Sequence, residues 1–364
     1  MENHFVDYTE LFQFTQSVFM KMGCSGQDAF QAADVLLAAD LSGIDSHGVA
    51  RLEGYARLWE AGRINPRPEI KIIHESPSTA TVDGDAGLGL VVAPFAMKLA
   101  INKAQTAGTG WVAVQNSNHF GIAGAHAKMA LPNDMIGLAM TNASALVAPT
   151  FAKERMLGTN PIAVAIPAGE EPPFLADMAT TTVANGKLEI LQRAGKDAPE
   201  GWVQDAQGQP TKNAAILQQG GALLPLGSDR AHSSHKGYAL GSIVDIFSAV
   251  LSGAAYGPWA PPFPAYVPLP QNPPGKGLGH FLGAMRIDAF RPADDFKKNM
   301  DLWIRRFREA QPASAHQEVL IPGDPERRAE KQRKVHGIPL VPKVRQSLQA
   351  LAGHFSIANS EFLN

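Results

Sequence analysis

Cysteine is nearly missing from this chain of 364 residues, where Cys24 stands alone. A single thiol closes neither an internal disulfide nor a multi-cysteine metal site. Disulfide scaffolds and zinc fingers are therefore excluded, no metal is expected, and a reducing, cytoplasmic location is. Neither sign of charge is in excess, with 32 basic against 34 acidic residues. A dedicated nucleic-acid or membrane-surface binder needs a basic surplus to attract phosphates, so neither partner is expected. Long apolar runs are missing as well. The stretches 135–148 and 237–254 are interrupted by Ser, Asp, Gly or Asn and fall short of the roughly 20 residues that span a bilayer. The opening MENHFVDYTELFQF lacks the basic-then-apolar order of a secretory signal. There is no G-x-G-x-x-G fingerprint, Walker A loop, HExxH, paired CxxC or nucleophile elbow, which removes the usual support for Rossmann binding, P-loop chemistry, zinc proteolysis and α/β-hydrolase chemistry.

What is present is enough chain for two compact lobes around a large core, with 45% hydrophobic residues. Residues 8–62 read as three helical pieces. Ser25 and Asp28 form a capping box before the second, and the third is expected to start at Ser46, with Val49, Leu52, Ala56 and Trp59 as its apolar stripe and Gly62 as its stop. From about 70 to 180 the pattern changes. TATVDG, GWVAVQNS, MIGLAMTNA, NPIAVAIP and PFLADMA read as strands, and Gly89–Thr106 and Ile122–Ala130 as helices, an α/β layer arrangement with a mixed sheet. A helix follows over KGYALGSIVDIFSAVLSGA. Next comes a segment with eight prolines between Pro258 and Pro274, expected to be a surface excursion or lid because proline removes backbone donors. A strand-like GHFLGAMRIDAF and helices from about Ala293 and Pro325 complete the chain. The expected domains are 1–74 with 255–364, helix-rich, and 75–254, an α/β lobe.

Chemistry is concentrated first in DSHGVARLEGY, residues 45–55. With Ser46 as cap, His47, Arg51 and Tyr55 recur every four residues on one helix face. The positive end of the helix dipole disfavours imidazolium, leaving His47 poised to move a proton. Arg51, one turn on, suits a carboxylate with two parallel hydrogen bonds. A capped surface helix with a solvated polar face explains the same spacing. The second constellation, QNSNHFGIAGAHAKMA, turns from a strand into a Gly-rich helix start, offering free N–H groups to a phosphate and placing His119 at the strand's end. The glycines Gly87 and Gly89 in DGDAGLGLVVA read as a turn and helix start. Thr159 and Asn160 ahead of a strand, Asp177 near the end of another, and Lys236 near a helix start flank possible ligands. A lysine in that position opposes the dipole and suggests an anion.

Taken in order, DSHGVARLEGY, SNHFGIAG, GTNPIAVAIP, FLADMATTTVANGK, GWVQDAQGQPT, LLPLG, HKGYALGSIVDIFSAVLSGA and PGDPERR resemble the malate/L-lactate dehydrogenase family, which is distinct from the Rossmann-type lactate and malate dehydrogenases. The resemblance runs from residue 45 to about 340. It implies a non-Rossmann nicotinamide-binding α/β fold with a mixed sheet flanked by helical N- and C-terminal parts. It also implies a homodimer, and an NAD(P)-dependent oxidoreductase of small 2-hydroxy/2-oxo acids, malate or L-lactate type. His47 then resembles the acid/base, with Ser46 as its relay partner. Arg51, Tyr55, Thr159, Asn185 and Gly186 resemble substrate contacts. Cofactor contacts are implied at His119, Phe120, Gly121, Ile122 and Ala123, at Asp177, Met178 and Ala179, at His235 and Lys236, and at Gly323, Asp324, Pro325, Glu326, Arg327 and Arg328. NAD is the expected cofactor, with NADP as the variant. Reductases of cyclic imino acids share similar SHG and HKG segments and form the alternative function. An idle nicotinamide-binding protein is the alternative of another class, against which the joint presence of Ser46, His47, Arg51 and His119 argues.

Overall fold

The computed structural model describes residues 4–363. Seven strands form its main sheet, in the spatial order Lys71–Glu75, Thr79–Gly87, Thr109–Ser117, Leu278–Arg286, Met135–Thr141, Ile162–Ile166 and Phe174–Met178. Only the pair Thr79–Gly87 and Thr109–Ser117 runs parallel, and every other neighbour is antiparallel. The mixed sheet follows from covering both faces. In Thr109–Ser117, Val112 and Val114 point into one core and Ala113 into another, the period-two alternation of a strand buried on both sides. The first face is packed by the helix Gly89–Ala107 and the short helix Ala123–Lys128. The second lies under the helix Ser234–Asp245 and its π-helical continuation Ile246–Val250, with Val244 packed among Ala113, Met140 and Phe281.

Around this body the helices Tyr8–Lys21, Gly26–Leu41, Leu52–Glu60 and Pro342–Phe355 build a separate hydrophobic core. The strands His4–Val6 and Ile338–Leu340 pair to tie the two ends of the chain together. Ser25 caps its helix through the Asp28 N–H, as its spacing predicts. A small three-stranded sheet of Ala222–Leu223, Val203–Gln204 and Pro210–Thr211 packs with the helix Asn185–Arg193 around a third core.

One strand departs from the expected division of the chain. Leu278–Arg286, which follows the proline-rich segment, does not stay with the helical part but enters the middle of the sheet, paired on both sides. Its sequence FLGAM is apolar on both faces, so only an interior position buries it. The proline-rich segment is thereby rooted at both ends against the sheet. Ala255 N–H donates to the Gly277 carbonyl at 3.2 Å, and Lys276 N–H to that of Gly253 at 3.3 Å.

Candidate active site

The site is organised by a residue that sequence spacing does not single out. Asp40, near the end of the helix Gly26–Leu41, is buried, and its carboxyl accepts the Val49 N–H at 2.8 Å. Gly48 presses so closely on that carboxyl that a Cβ would overlap it. Burial pushes the Asp40 carboxyl up to about 8. Held in this way, the chain makes two short 3-10 turns, Asp45–His47 and Val49–Arg51, on either side of Gly48 at φ −89° and ψ −144°. The α-helix begins only at Leu52. Ser46 therefore caps no helix, and the dipole argument for a neutral His47 loses its basis.

The neutral state has other causes. Burial first, and the Arg51 guanidinium second, bring His47 down to about 4. Ser46 Oγ lies 2.9 Å from His47 Nδ1. Arg51 Nε donates to the Ser46 carbonyl at 2.6 Å, while its two terminal amino groups make no protein hydrogen bond among the described residues. Tyr55 is not on a solvated face. It is fully buried against Phe19, and its hydroxyl lies 2.7 Å from His119 Nδ1.

The His119 and His47 rings stack at 5.8 Å and 24°. Gly121 N–H also donates to His119 Nδ1, at 3.3 Å. An atom that accepts from a backbone amide carries no proton, so these partners assign the Nε2–H tautomer, with the phenol as donor to Nδ1. Burial, then His47, Arg51 and His280, hold the His119 imidazole well below its ordinary value.

Behind His119 a buried stack fixes the loop. His280 lies 2.8 Å from Ser117 Oγ through Nε2 and 2.7 Å from Thr141 Oγ1 through Nδ1. Phe120 packs between His280 and His126 at ring distances of 4.7 and 4.6 Å. The structure thus buries Phe120 in the interior, and its aromatic ring serves the loop's shape.

From His119 the chain leads to Asp177. Gly124 N–H donates to Asp177 Oδ2 at 2.7 Å, so this amide of the Gly-rich helix start is already satisfied by a carboxylate and is not open to a phosphate. Burial lifts the Asp177 carboxyl to about 6, the Gly124 N–H lowers it, and Glu326 opposite raises it. Gly323–Arg328 opens the helix Asp324–His336 and is fastened to Asp177's strand, with Leu175 N–H donating to the Pro322 carbonyl at 3.1 Å. The basic residues of this segment are engaged. Arg327 donates to Asp324 at 2.6 Å and to the Pro173 carbonyl at 2.8 Å, and Arg328 pairs with Glu318 at 2.8 Å. Glu326 Oε2 is buried without a hydrogen-bond partner among the described residues.

A third group is joined through Thr180, whose hydroxyl donates to the Thr159 and Asn160 carbonyls. Asn160 in turn donates to the Gly241 carbonyl on the helix that carries His235 and Lys236. Lys236 is exposed there, and His235 Nδ1 lies 2.9 Å from Arg230. Gly186, at the start of the helix Asn185–Arg193, lies against the Ser46 side chain, and Asn185 donates to Glu189.

Two clefts lie nearby: His119 lines the first, and His47 lines neither. One of about 680 Å³ runs from His119 and Phe263 along Arg63, Asn118 and Lys276 beneath the proline-rich segment. The other, of about 570 Å³, is bounded by Ser46, Arg51, Gly186, Glu189 and Lys343. Thr159, Asp177, His235, Lys236 and Gly323–Arg328 line neither.

Comparison with known proteins places the chain in a family. The family model described as malate/L-lactate dehydrogenase matches residues 6–349. The chain belongs to the malate/L-lactate dehydrogenase family. Among relatives of this family, the malate dehydrogenase of Pyrococcus abyssi is 43% identical over 353 residues, 97% of this chain and 95% of that protein. A Delta(1)-pyrroline-2-carboxylate/Delta(1)-piperideine-2-carboxylate reductase of Pseudomonas putida is more distant, at 34% over 69% of this chain and 72% of its own length. The solved malate dehydrogenase of Pyrococcus horikoshii superimposes with a TM-score of 0.88 at 38% identity, covering 98% of this chain and 96% of that one.

Within this family member, sequence reasoning finds Ser46, His47, Arg51 and His119 together, and the structure brings them together. It misses Asp40, His280 and Phe263. A glycine directly after the histidine was the available signal for Asp40, since close approach by a buried group demands one. Neither His280 nor Phe263 has a local signal, because their partners are 139 and 144 residues away or more: Thr141 and Ser117 for the first, His119 for the second.

Proposed function

We propose that this chain transfers a hydride between a nicotinamide cofactor and C2 of a small 2-hydroxy/2-oxo acid, with malate and oxaloacetate as the leading pair. The observation that carries the reading is a neutral His47, bonded to Ser46, beside an Arg51 whose amino groups are uncommitted. The cofactor supplies the redox chemistry when bound. In oxidation, His47 takes the hydroxyl proton at Nε2 while Nδ1–H is held by Ser46, and in reduction it returns that proton. Arg51 holds the substrate carboxylate bidentately, the use to which its planar fork is suited. His119, fixed as the Nε2–H tautomer, offers a donor beside them and keeps its place among the cofactor contacts.

Asp177 and Glu326 fit a dinucleotide. The oxygen of Asp177 not bonded to Gly124, and the unpartnered Glu326 Oε2, are the acceptors that ribose hydroxyls require. NAD is proposed over NADP on the same ground. Two carboxylates repel a 2′-phosphate, and Arg327 and Arg328 are already paired. Thr159, Asn185 and Gly186 are retained as substrate contacts and His235 and Lys236 as cofactor contacts, on the resemblance of their segments. A homodimer is supported by exposed Ile243, Ile246, Phe247, Val250 and Leu251, an apolar stripe at helical spacing. A cytoplasmic location is supported by the single, buried thiol.

The test is to mix purified protein with NADH or NADPH and, separately, oxaloacetate, pyruvate, other 2-oxo acids and piperideine-2-carboxylate, following loss of reduced-nicotinamide absorbance. Turnover of oxaloacetate with NADH is expected. Turnover of the cyclic imine alone would transfer the assignment to the imino acid reductases, and none with any member would favour an idle binding protein.

A further inference from the structure

The proline-rich segment is a strap whose position is fixed at several points along its length. Beyond its paired roots, Arg63 donates to the Pro262 carbonyl at 3.3 Å and to that of Val267 at 2.7 Å, and Ser144 Oγ accepts the Phe263 N–H at 2.9 Å. The prolines stiffen the chain between these anchors by fixing φ. What the strap delivers is one side chain. The Phe263 ring lies 4.9 Å from that of His119 and 5.4 Å from that of Tyr55, with the Arg51 guanidinium 5.9 Å from its centroid. The close fit depends on Gly54, where a Cβ would come within 2.5 Å of the ring.

The ring also divides space. His119 and Phe263 line the cleft of about 680 Å³, whereas Arg51 lines the other cleft, so Phe263 stands between the guanidinium and the larger volume.

We propose that Phe263 is a specificity-determining residue: carried in by the strap, it walls off the cleft beside Arg51 and His119 and confines the substrate to acids with a small C3 substituent. This rests on the reading of the chain as a 2-hydroxy acid oxidoreductase with Arg51 holding the carboxylate. Removing the ring opens the substrate position into the cleft, so bulky acids gain room while small ones lose a contact surface.

The experiment measures kcat/KM for reduction of oxaloacetate, pyruvate, 4-methyl-2-oxopentanoate and phenylpyruvate. Its variants are Phe263→Ala, Phe263→Leu, Gly54→Ala and the double variant Gly54→Ala/Phe263→Ala. Phe263→Ala should raise the bulky-to-small ratio at least about tenfold, the scale on which one pocket contact discriminates substrates. Phe263→Leu should fall between. Gly54→Ala, whose methyl displaces the ring, should move the ratio the same way, and should add nothing once the ring is gone. If Phe263→Ala does not fold, the Leu and Gly54 variants decide by the same ratio. A uniform fall for all four acids, with the ratio unchanged, would overturn the proposal while leaving the function reading intact. Wild-type enzyme inert towards every acid would overturn that reading, and the proposal with it.

Discussion

Tyr55→Phe isolates the link between the buried core and the candidate active site. The phenol is fully buried, its hydroxyl lies 2.7 Å from His119 Nδ1, and the next acceptor, the His119 carbonyl, is at 3.3 Å. Phenylalanine keeps the ring, and with it the contacts to Phe19 at 6.1 Å and Phe263 at 5.4 Å, so only the hydroxyl is lost. His119 Nδ1 is then left with the long bond from Gly121 N–H. Depriving a buried acceptor of its main donor costs about 1–2 kcal/mol. The same change leaves only the long Gly121 N–H bond to hold the proton on Nε2, so the donor proposed to face the ligand is less firmly fixed. Urea unfolding followed by circular dichroism should therefore show a loss of about 1–2 kcal/mol, and kcat/KM for oxaloacetate should fall about 5- to 30-fold. Stability lost without any change in kcat/KM would refute the tautomer argument, and neither changing would refute the hydrogen bond itself.

Two further outcomes follow from the charges in and around the site. Arg51→Ala should weaken kcat/KM for 2-oxo acids about 10- to 150-fold, the worth of hydrogen bonds to a charged group, and Arg51→Lys should recover only part because it lacks the fork; an unchanged kcat/KM for Arg51→Ala would remove the clamp. Burial holds folded His280 at about 3 and His126 at about 4, against 6.5 when unfolded, so between pH 6.5 and about 4 the unfolded chain binds the extra protons and stability falls as pH falls. His280→Gln should reduce the slope of unfolding free energy between pH 6 and 5 by about 1.4 kcal/mol per pH unit. An identical slope in urea titrations of the variant and wild type would contradict a buried neutral imidazole.

Much of the sheet was legible because its strands carry unbroken apolar alternation. All five expected runs from TATVDG to PFLADMA form strands, and Ser25 caps as its spacing requires. The start of the helix at 46 was not legible. Spacing alone treats DSHGVARLEGY as continuous, whereas a buried carboxyl from the preceding helix captures Val49 N–H and forces two tight turns. Tertiary capture of a backbone donor overrides local propensity here. The same cause hides the Gly124 amide, taken by Asp177 from 53 residues away. Leu278–Arg286 shows the complementary case: its strand character was visible in sequence, but its central place in the sheet depends on partners at 109–117 and 135–141 that no local pattern names. Residue types that carry chemistry were visible as motifs, while the groups that aim them, Asp40, His280 and Phe263, exist as a site only after folding.

The role of His47 is most directly measured by malate oxidation in His47→Ala, with nicotinamide binding followed in the same protein by fluorescence. Loss of a positioned acid/base should lower kcat by about 10²- to 10⁴-fold while the Kd for the cofactor stays within a few-fold of wild type. Wild-type turnover in the variant would contradict the assignment of the proton to His47.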